Sequence, residues 1–265
     1  MNFCGGRVLV TADIEGISTN YVKEGQGENL LLLHGWGTNL SLFSAIIETA
    51  KKRYTVYAVD FPGFGGSDEP KEPWDVDGYV DFIIAFCKKM GIEKTVLLGH
   101  SFGGRVIIKL LSREDCPIEV EKVILTGSAG IKPPRSEKAE KKAKIYQRGK
   151  AFLSSKPIKA LFPNALENYR NRHGSADYRA ASPMMRQVLV KVVNEDLAPL
   201  LPLVKQETLL IWGENDDATP LSDGKQMERE MPDAALVTLP NAGHFAFLEQ
   251  QYAFLRIISS FLKID

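Results

Sequence analysis

The most constraining feature of the 265-residue chain is Gly99-His100-Ser101-Phe102-Gly103, set between Thr95-Val96-Leu97-Leu98 and Gly104-Arg105-Val106-Ile107-Ile108-Lys109-Leu110-Leu111. The first flank reads as a short buried strand and the second as a buried helix. A strand that enters a helix through so short a turn holds the serine in strained backbone geometry, with its hydroxyl projecting from the top of a sheet. Gly99 and Gly103 are small because strand and helix must pass close to each other there. An ordinary glycine-rich turn with an incidental serine would explain the pentapeptide alone, but it does not explain the two flanks.

The rest of the chain repeats that strand–helix rhythm. Arg7–Ala12 and Thr19–Lys23 read as a hairpin-type pair of strands. Leu30-Leu31-Leu32-Leu33 is an uninterrupted apolar run, as expected of a strand covered on both faces. Ser41–Lys52 has helical spacing, Tyr54–Val59 reads as a strand and Val76–Met90 as a helix, and Val123–Leu125 as another short central strand. After Gly130 the rhythm breaks. Pro133-Pro134 opens a lysine-rich stretch, and to about Leu200 the chain reads as helices and loops. The rhythm then resumes with a strand over Thr208–Trp212, a helix over Ser222–Met231, a strand over Ala235–Leu239 and a helix over Tyr252–Leu262. The pattern predicts an α/β fold with a mainly parallel central sheet and helices on both faces. Its core domain would be residues 1–130 and 201–265, interrupted by a helical insertion over residues 131–200.

Charge supports that division. Formal net charge is zero, which gives no reason to expect nucleic acid or an acidic membrane as partner. Yet residues 131–200 hold 15 Lys and Arg against 6 Asp and Glu, a net +9, and the remainder is −9. The charge run from Lys138 to Lys144 within it reads as a solvated helix face. Three cysteines, Cys4, Cys87 and Cys116, are an odd count without metal-like spacing, so free thiols in a reducing compartment are expected. The N-terminal residues do not read as a signal peptide, and no apolar run reaches the ~18 residues a membrane span needs. The expectation is a cytoplasmic protein with a small-molecule substrate, without membrane insertion, cofactor or metal.

A serine hydroxyl is a poor nucleophile until a base removes its proton, and the base needs an orienting acid. Four histidines compete for the first role. His34 lies in a turn after a strand, and His173 lies in the insertion. His100 directly precedes Ser101, so its side chain should point away from the reaction face. His244, in a loop after a predicted strand, comes to the sheet edge that carries Ser101 and is the expected base. Asp216 and Asp217, in the loop after Trp212, both qualify as the acid by location. Two backbone donors are needed for the oxyanion. Phe102, just after the serine, supplies one, and Trp36 of His34-Gly35-Trp36-Gly37 the other.

These residues resemble the α/β-hydrolase superfamily, and within it the cap-bearing group of lipase/esterase-like and carbon–carbon bond hydrolases. The matched pieces are Leu33–Gly37, Asp60-Phe61-Pro62-Gly63-Phe64-Gly65-Gly66-Ser67, Gly99–Gly104, Trp212–Pro220 and Gly243-His244-Phe245, in family order over most of the chain. The resemblance implies the α/β-hydrolase fold, puts the acid on Asp216 four residues after Trp212, and makes the insertion a helical cap. Such a cap would draw its pocket from Phe152, Leu153, Leu161, Phe162, Met184 and Met185, with Phe64, Phe102 and Phe245 from the core side.

The leading expectation is a serine hydrolase with a Ser101–Asp216–His244 triad that cleaves a carboxylic ester through an acyl-enzyme. Serine at the elbow argues against the superfamily's dehalogenases and epoxide hydrolases, whose nucleophile is a carboxylate. The alternatives are a hydrolase of a carbon–carbon bond in a vinylogous diketone acid, and a ligand receptor that retains the triad. In the first, the basic cap or Arg105 would hold the substrate carboxylate, although a salt bridge at the core edge is the plainer role for Arg105.

Overall fold

The computed structural model of the chain describes residues 3–4, 7–132, 137–155 and 175–264, with eight further residues between 158 and 172. Eight strands form one sheet: β1 (Val10–Ile14), β2 (Ile17–Glu24), β3 (Glu28–Leu33), β4 (Tyr54–Val59), β5 (Lys94–His100), β6 (Glu119–Thr126), β7 (Glu207–Gly213) and β8 (Ala234–Leu239). Their order across the sheet is β8-β7-β6-β5-β3-β4-β2-β1. Pairing is parallel from β8 through β4, while β2 runs antiparallel to both β4 and β1.

The expected hairpin exists with a different first strand. Val10–Ile14 pairs with Ile17–Glu24, whereas Arg7–Val8 pairs with Phe3–Cys4. The turn decides this. Glu15 and Gly16 both have positive φ, 50° and 81°, the geometry of a tight two-residue hairpin loop, and they fix Ile14 opposite Ile17.

β3 shows why its apolar run is continuous. Leu31 and Leu33 belong to one buried cluster and Leu30 and Leu32 to the other, so alternate side chains feed opposite faces of the sheet. On the first face lie α2 (Val76–Met90), through Tyr79, Val80, Ile83 and Phe86, and α3 (Phe102–Leu111), through Val106, Ile107 and Leu110. On the other lie α1 (Ser44–Ala50) and the C-terminal α9 (Gln251–Leu262), through Ile46, Ile47, Phe254 and Ile258. Asp75 caps α2 by accepting the Gly78 N–H at 3.2 Å, and Gly91 ends it at φ 69°. The helix expected over Ser41–Lys52 begins as a 3-10 turn, Leu40–Phe43, because the Asn39 side chain accepts the Ser41 N–H there.

Between β6 and β7 the described residues hold no strand. They form α4 (Glu137–Leu153), α5 (Ala176–Ala180) and α6 (Pro183–Asn194), then a 3-10 turn over Ala198–Leu203. α6 is no detached lobe. Met185, Val188 and Val192 join the same buried cluster as α2 and α3. Pro133, Pro134 and His173 lie outside the described residues, as do the side chains of Lys138, Lys141 and Lys142; Lys144 is exposed. α7 (Leu221–Glu230) and the short α8 (Ala246–Glu249) complete the layers. Among the described residues no helix is long and apolar enough to cross a membrane.

Candidate active site

Because β3 and β5 to β8 are parallel, the loops after them open at one edge of the sheet, and Trp36, Ser101, Asp216 and His244 lie on those loops. Ser101 follows β5 with φ 50° and ψ −109°, a strained backbone for a residue with a side chain. The strain is imposed by two fixed ends: the Ser101 N–H donates to Thr126 O at 3.1 Å, and Ser101 O accepts from Ala129 at 3.0 Å and Arg105 at 3.2 Å. The glycines allow the crossing. A side chain on Gly103 would collide with the Leu33 carbonyl, and one on Gly99 would come within 2.7 Å of the Gly103 backbone.

His244 and Asp216 are brought together from loops 28 residues apart. His244 Nδ1 lies 2.9 Å from Asp216 Oδ2 and 3.1 Å from Oδ1. The Asp216 side chain is fully buried, and that of His244 is 16% exposed. Asp217, the other acid the sequence allowed, points into solvent. Asp216 Oδ1 also accepts the N–H groups of Ala218 at 3.0 Å and Thr219 at 2.9 Å. Burial alone would raise the Asp216 carboxyl. The hydrogen bond from His244 and those from Thr219 outweigh it and hold the group below the ordinary carboxylate range. Asp216 is therefore an anion that keeps the His244 proton on Nδ1 and leaves Nε2 free to accept one. Among the described residues no hydrogen bond joins Ser101 to His244.

Two residues support this pair in ways the sequence reading did not foresee, and a third orders the loop that carries Trp36. Thr219 Oγ1 lies 2.9 Å from Asp216 Oδ2, 3.0 Å from Gly127 O and 3.2 Å from His244 Nδ1, so it ties the β7 loop to the β6 loop. Its signal was the Asp-x-x-Thr spacing, which suits a local side-chain-to-backbone turn. His100 is wholly buried, with its ring centroid 4.8 Å from that of His244 and its Nε2 3.0 Å from His244 O. It does not face the reaction; it backs the candidate base. His34 is also buried, with Nδ1 2.7 Å from Gly35 O and Nε2 accepting the Phe61 N–H at 3.0 Å. Both nitrogens are committed, which fixes its tautomer and binds the Gly35-Trp36 loop to the loop after β4.

Phe102 is the first residue of α3, so its N–H has no acceptor within the helix. Trp36 is half-buried, with its ring edge-on to Phe64 at 4.8 Å and to Phe102 at 5.6 Å. Of the expected pocket residues, Phe64, Phe102 and Met185 are buried, Met184 and Leu153 half-buried, and Phe245 half-buried beside His100. Phe152, Leu161 and Phe162 stand in solvent at 65%, 72% and 61% exposure and take no place in the buried clusters. Arg105 also differs from a substrate contact. It is buried, and its Nη1 donates to Glu195 O at 2.7 Å, which anchors the end of α6 to α3.

The family model for the alpha/beta hydrolase fold matches residues 28–251. Among curated proteins, the chain is 27% identical to the AB hydrolase superfamily protein YisY of Bacillus subtilis, over 92% of this chain and 95% of that one. It is 24% identical to a pimeloyl-[acyl-carrier protein] methyl ester esterase of Chromobacterium violaceum, over 90% and 96% of the two chains. With a 2-hydroxymuconate semialdehyde hydrolase of a Pseudomonas species it shares 26% identity, over 97% and 93%.

Proposed function

The chain belongs to the α/β-hydrolase fold family, and on that premise we propose that it is a serine hydrolase that cleaves a small to medium carboxylic ester through an acyl-enzyme. The observation that carries this reading is the 2.9 Å contact between His244 Nδ1 and the buried Asp216 carboxylate, on the sheet edge where Ser101 is held at φ 50°. His244 Nε2 takes the Ser101 proton as Oγ attacks the ester carbonyl. Asp216 keeps the imidazole in its working tautomer and stabilises the imidazolium. The amides of Phe102 and Trp36 hold the oxyanion, the alcohol leaves with the proton from His244, and water then releases the acid. Residues 131–200 act as the cap over this edge, and Trp36, Phe64, Phe102 and Met185 line the acyl side. The free thiols of Cys87 and Cys116 fit a reducing compartment, the cytoplasm.

The relative named 2-hydroxymuconate semialdehyde hydrolase favours a second reading, cleavage of a carbon–carbon bond by the same residues. One experiment separates the readings. The protein is incubated with p-nitrophenyl esters, with a ring-opened diketone acid, and with a fluorophosphonate that labels Ser101. Ester turnover with labelling supports the first reading, and turnover of the diketone acid alone supports the second. Labelling without turnover of either would point to a binding protein, and absence of labelling would remove Ser101 from the site.

A further inference from the structure

We infer that Met185 is the end wall of the acyl pocket and that the substrates carry short acyl chains, an inference that rests on the serine-hydrolase reading. Met185 is the third residue of α6, and its N–H is received by Ser182 Oγ at 3.1 Å, so the cap fixes where its side chain starts. The side chain is 3% exposed and lies against Gly63, where a Cβ would meet Sδ and come within 2.5 Å of Cε. Gly63 sits at φ 88°, and the thioether fills the space its missing side chain leaves.

From that contact an apolar wall runs back to the elbow. Gly63 adjoins Phe64, whose ring stands edge-on to Trp36 at 80°, and Trp36 stands edge-on to Phe102 at 84°. An acyl group with its carbonyl oxygen between the amides of Trp36 and Phe102 lays its alkyl carbons along this wall. Met185 closes the far end.

A methionine in a loose cap would swing aside, since its thioether chain adapts easily. Here the helix that carries it is clamped along its length. Arg186 Nε donates to Tyr178 O at 2.9 Å, and Lys191 donates to Pro73 O. At the exit, Arg105 holds the Glu195 carbonyl and Lys109 its carboxylate, both at 2.7 Å. The wall therefore stays in place when the acyl chain lengthens, and longer chains lose their fit.

The test reads chain length directly. Ser101 labelling by alkyl fluorophosphonates of two to ten carbons is followed by intact mass, alongside kcat/KM for p-nitrophenyl esters of the same lengths. Wild type is expected to react best at two to four carbons. Met185→Ala removes three heavy atoms, and a methylene that gains a buried place is worth roughly a factor of four. The variant is thus expected to favour six carbons over three by roughly tenfold or more relative to wild type. Met185→Leu conserves volume and keeps the wild-type profile. Met185→Phe narrows the profile toward acetate, and it serves if the alanine variant does not fold. Equal labelling at every length, or unchanged profiles in both the Ala and Phe variants, overturns the wall while leaving Ser101 as nucleophile. No labelling at any length overturns the serine-hydrolase reading and the wall with it.

Discussion

His100 Nε2 lies 3.0 Å from the carbonyl oxygen of His244, so the residue before the candidate nucleophile holds the backbone of the candidate base. A carbonyl only accepts, which places the His100 proton on Nε2. Nδ1 is then a lone pair turned toward Gly35, with no hydrogen-bond partner among the described residues. Burial above all, and then the charge His244 can carry, push the His100 imidazole down to about 3. The folded protein keeps this ring neutral well below the ordinary histidine range.

That depression has a consequence for stability. The unfolded chain takes up the His100 proton near the ordinary histidine value of about 6.5, while the folded protein resists it down to about 3. The contribution is complete above the unfolded value and is lost as pH falls through this window, at up to ~1.4 kcal/mol per pH unit. Between pH 7 and pH 5 it amounts to ~2 kcal/mol. Urea midpoints at the two pH values are expected to differ by less in His100→Gln than in wild type. An equal difference would show that His100 ionises freely in the folded state.

Ser101→Ala and His244→Ala are each expected to abolish nearly all turnover, and the double variant to be scarcely worse, because members of such a unit do not lose activity additively. Measured kcat on one ester for the three variants decides this. A single variant that keeps most of its activity removes that residue from the mechanism.

Asp216→Asn is expected to lower kcat by ~10³–10⁴, because an amide in place of the carboxylate permits the wrong imidazole tautomer. Asp217→Asn, on an exposed side chain, is expected to change kcat little. Thr219→Val removes a hydroxyl that bridges Asp216 and Gly127 and should fall between the two. Steady-state kinetics of the three variants rank them, and a larger loss for Asp217 would overturn the assignment.

The +9 charge of residues 131–200 has two readings, a solvated face or a field that draws anionic substrates. Exposed charges are screened beyond ~8 Å at physiological ionic strength. The solvated face predicts that kcat/KM for a neutral and a negatively charged ester respond alike to salt. A fall confined to the charged ester would establish steering instead.

Local periodicity carried most of the fold. The strand Leu30–Leu33 was legible because burial on both faces leaves an unbroken apolar run, and Val76–Met90 because one helical stripe is apolar between an Asp75 cap and a Gly91 stop. The elbow was legible because only glycine tolerates the crossing at Gly99 and Gly103. The first hairpin strand was displaced because two positive-φ residues, and not the apolar pattern, set its register.

What the sequence by itself determined is the alternating α/β chain and the order of its chemically capable residues. Only the tertiary structure decided which of them meet. Asp216 and Asp217 are neighbours in sequence, and the loop after β7 holds the Asp216 carboxylate on the Ala218 and Thr219 amides against His244 while it leaves Asp217 exposed. Among the apolar residues of the insertion, hydrophobicity is the same inside or outside. Met185 is buried because a capped helix presses it against Gly63, and Phe152 and Phe162 stand in solvent because no described element covers them. Side-chain type fixes what a residue can do, while long-range packing fixes what it touches.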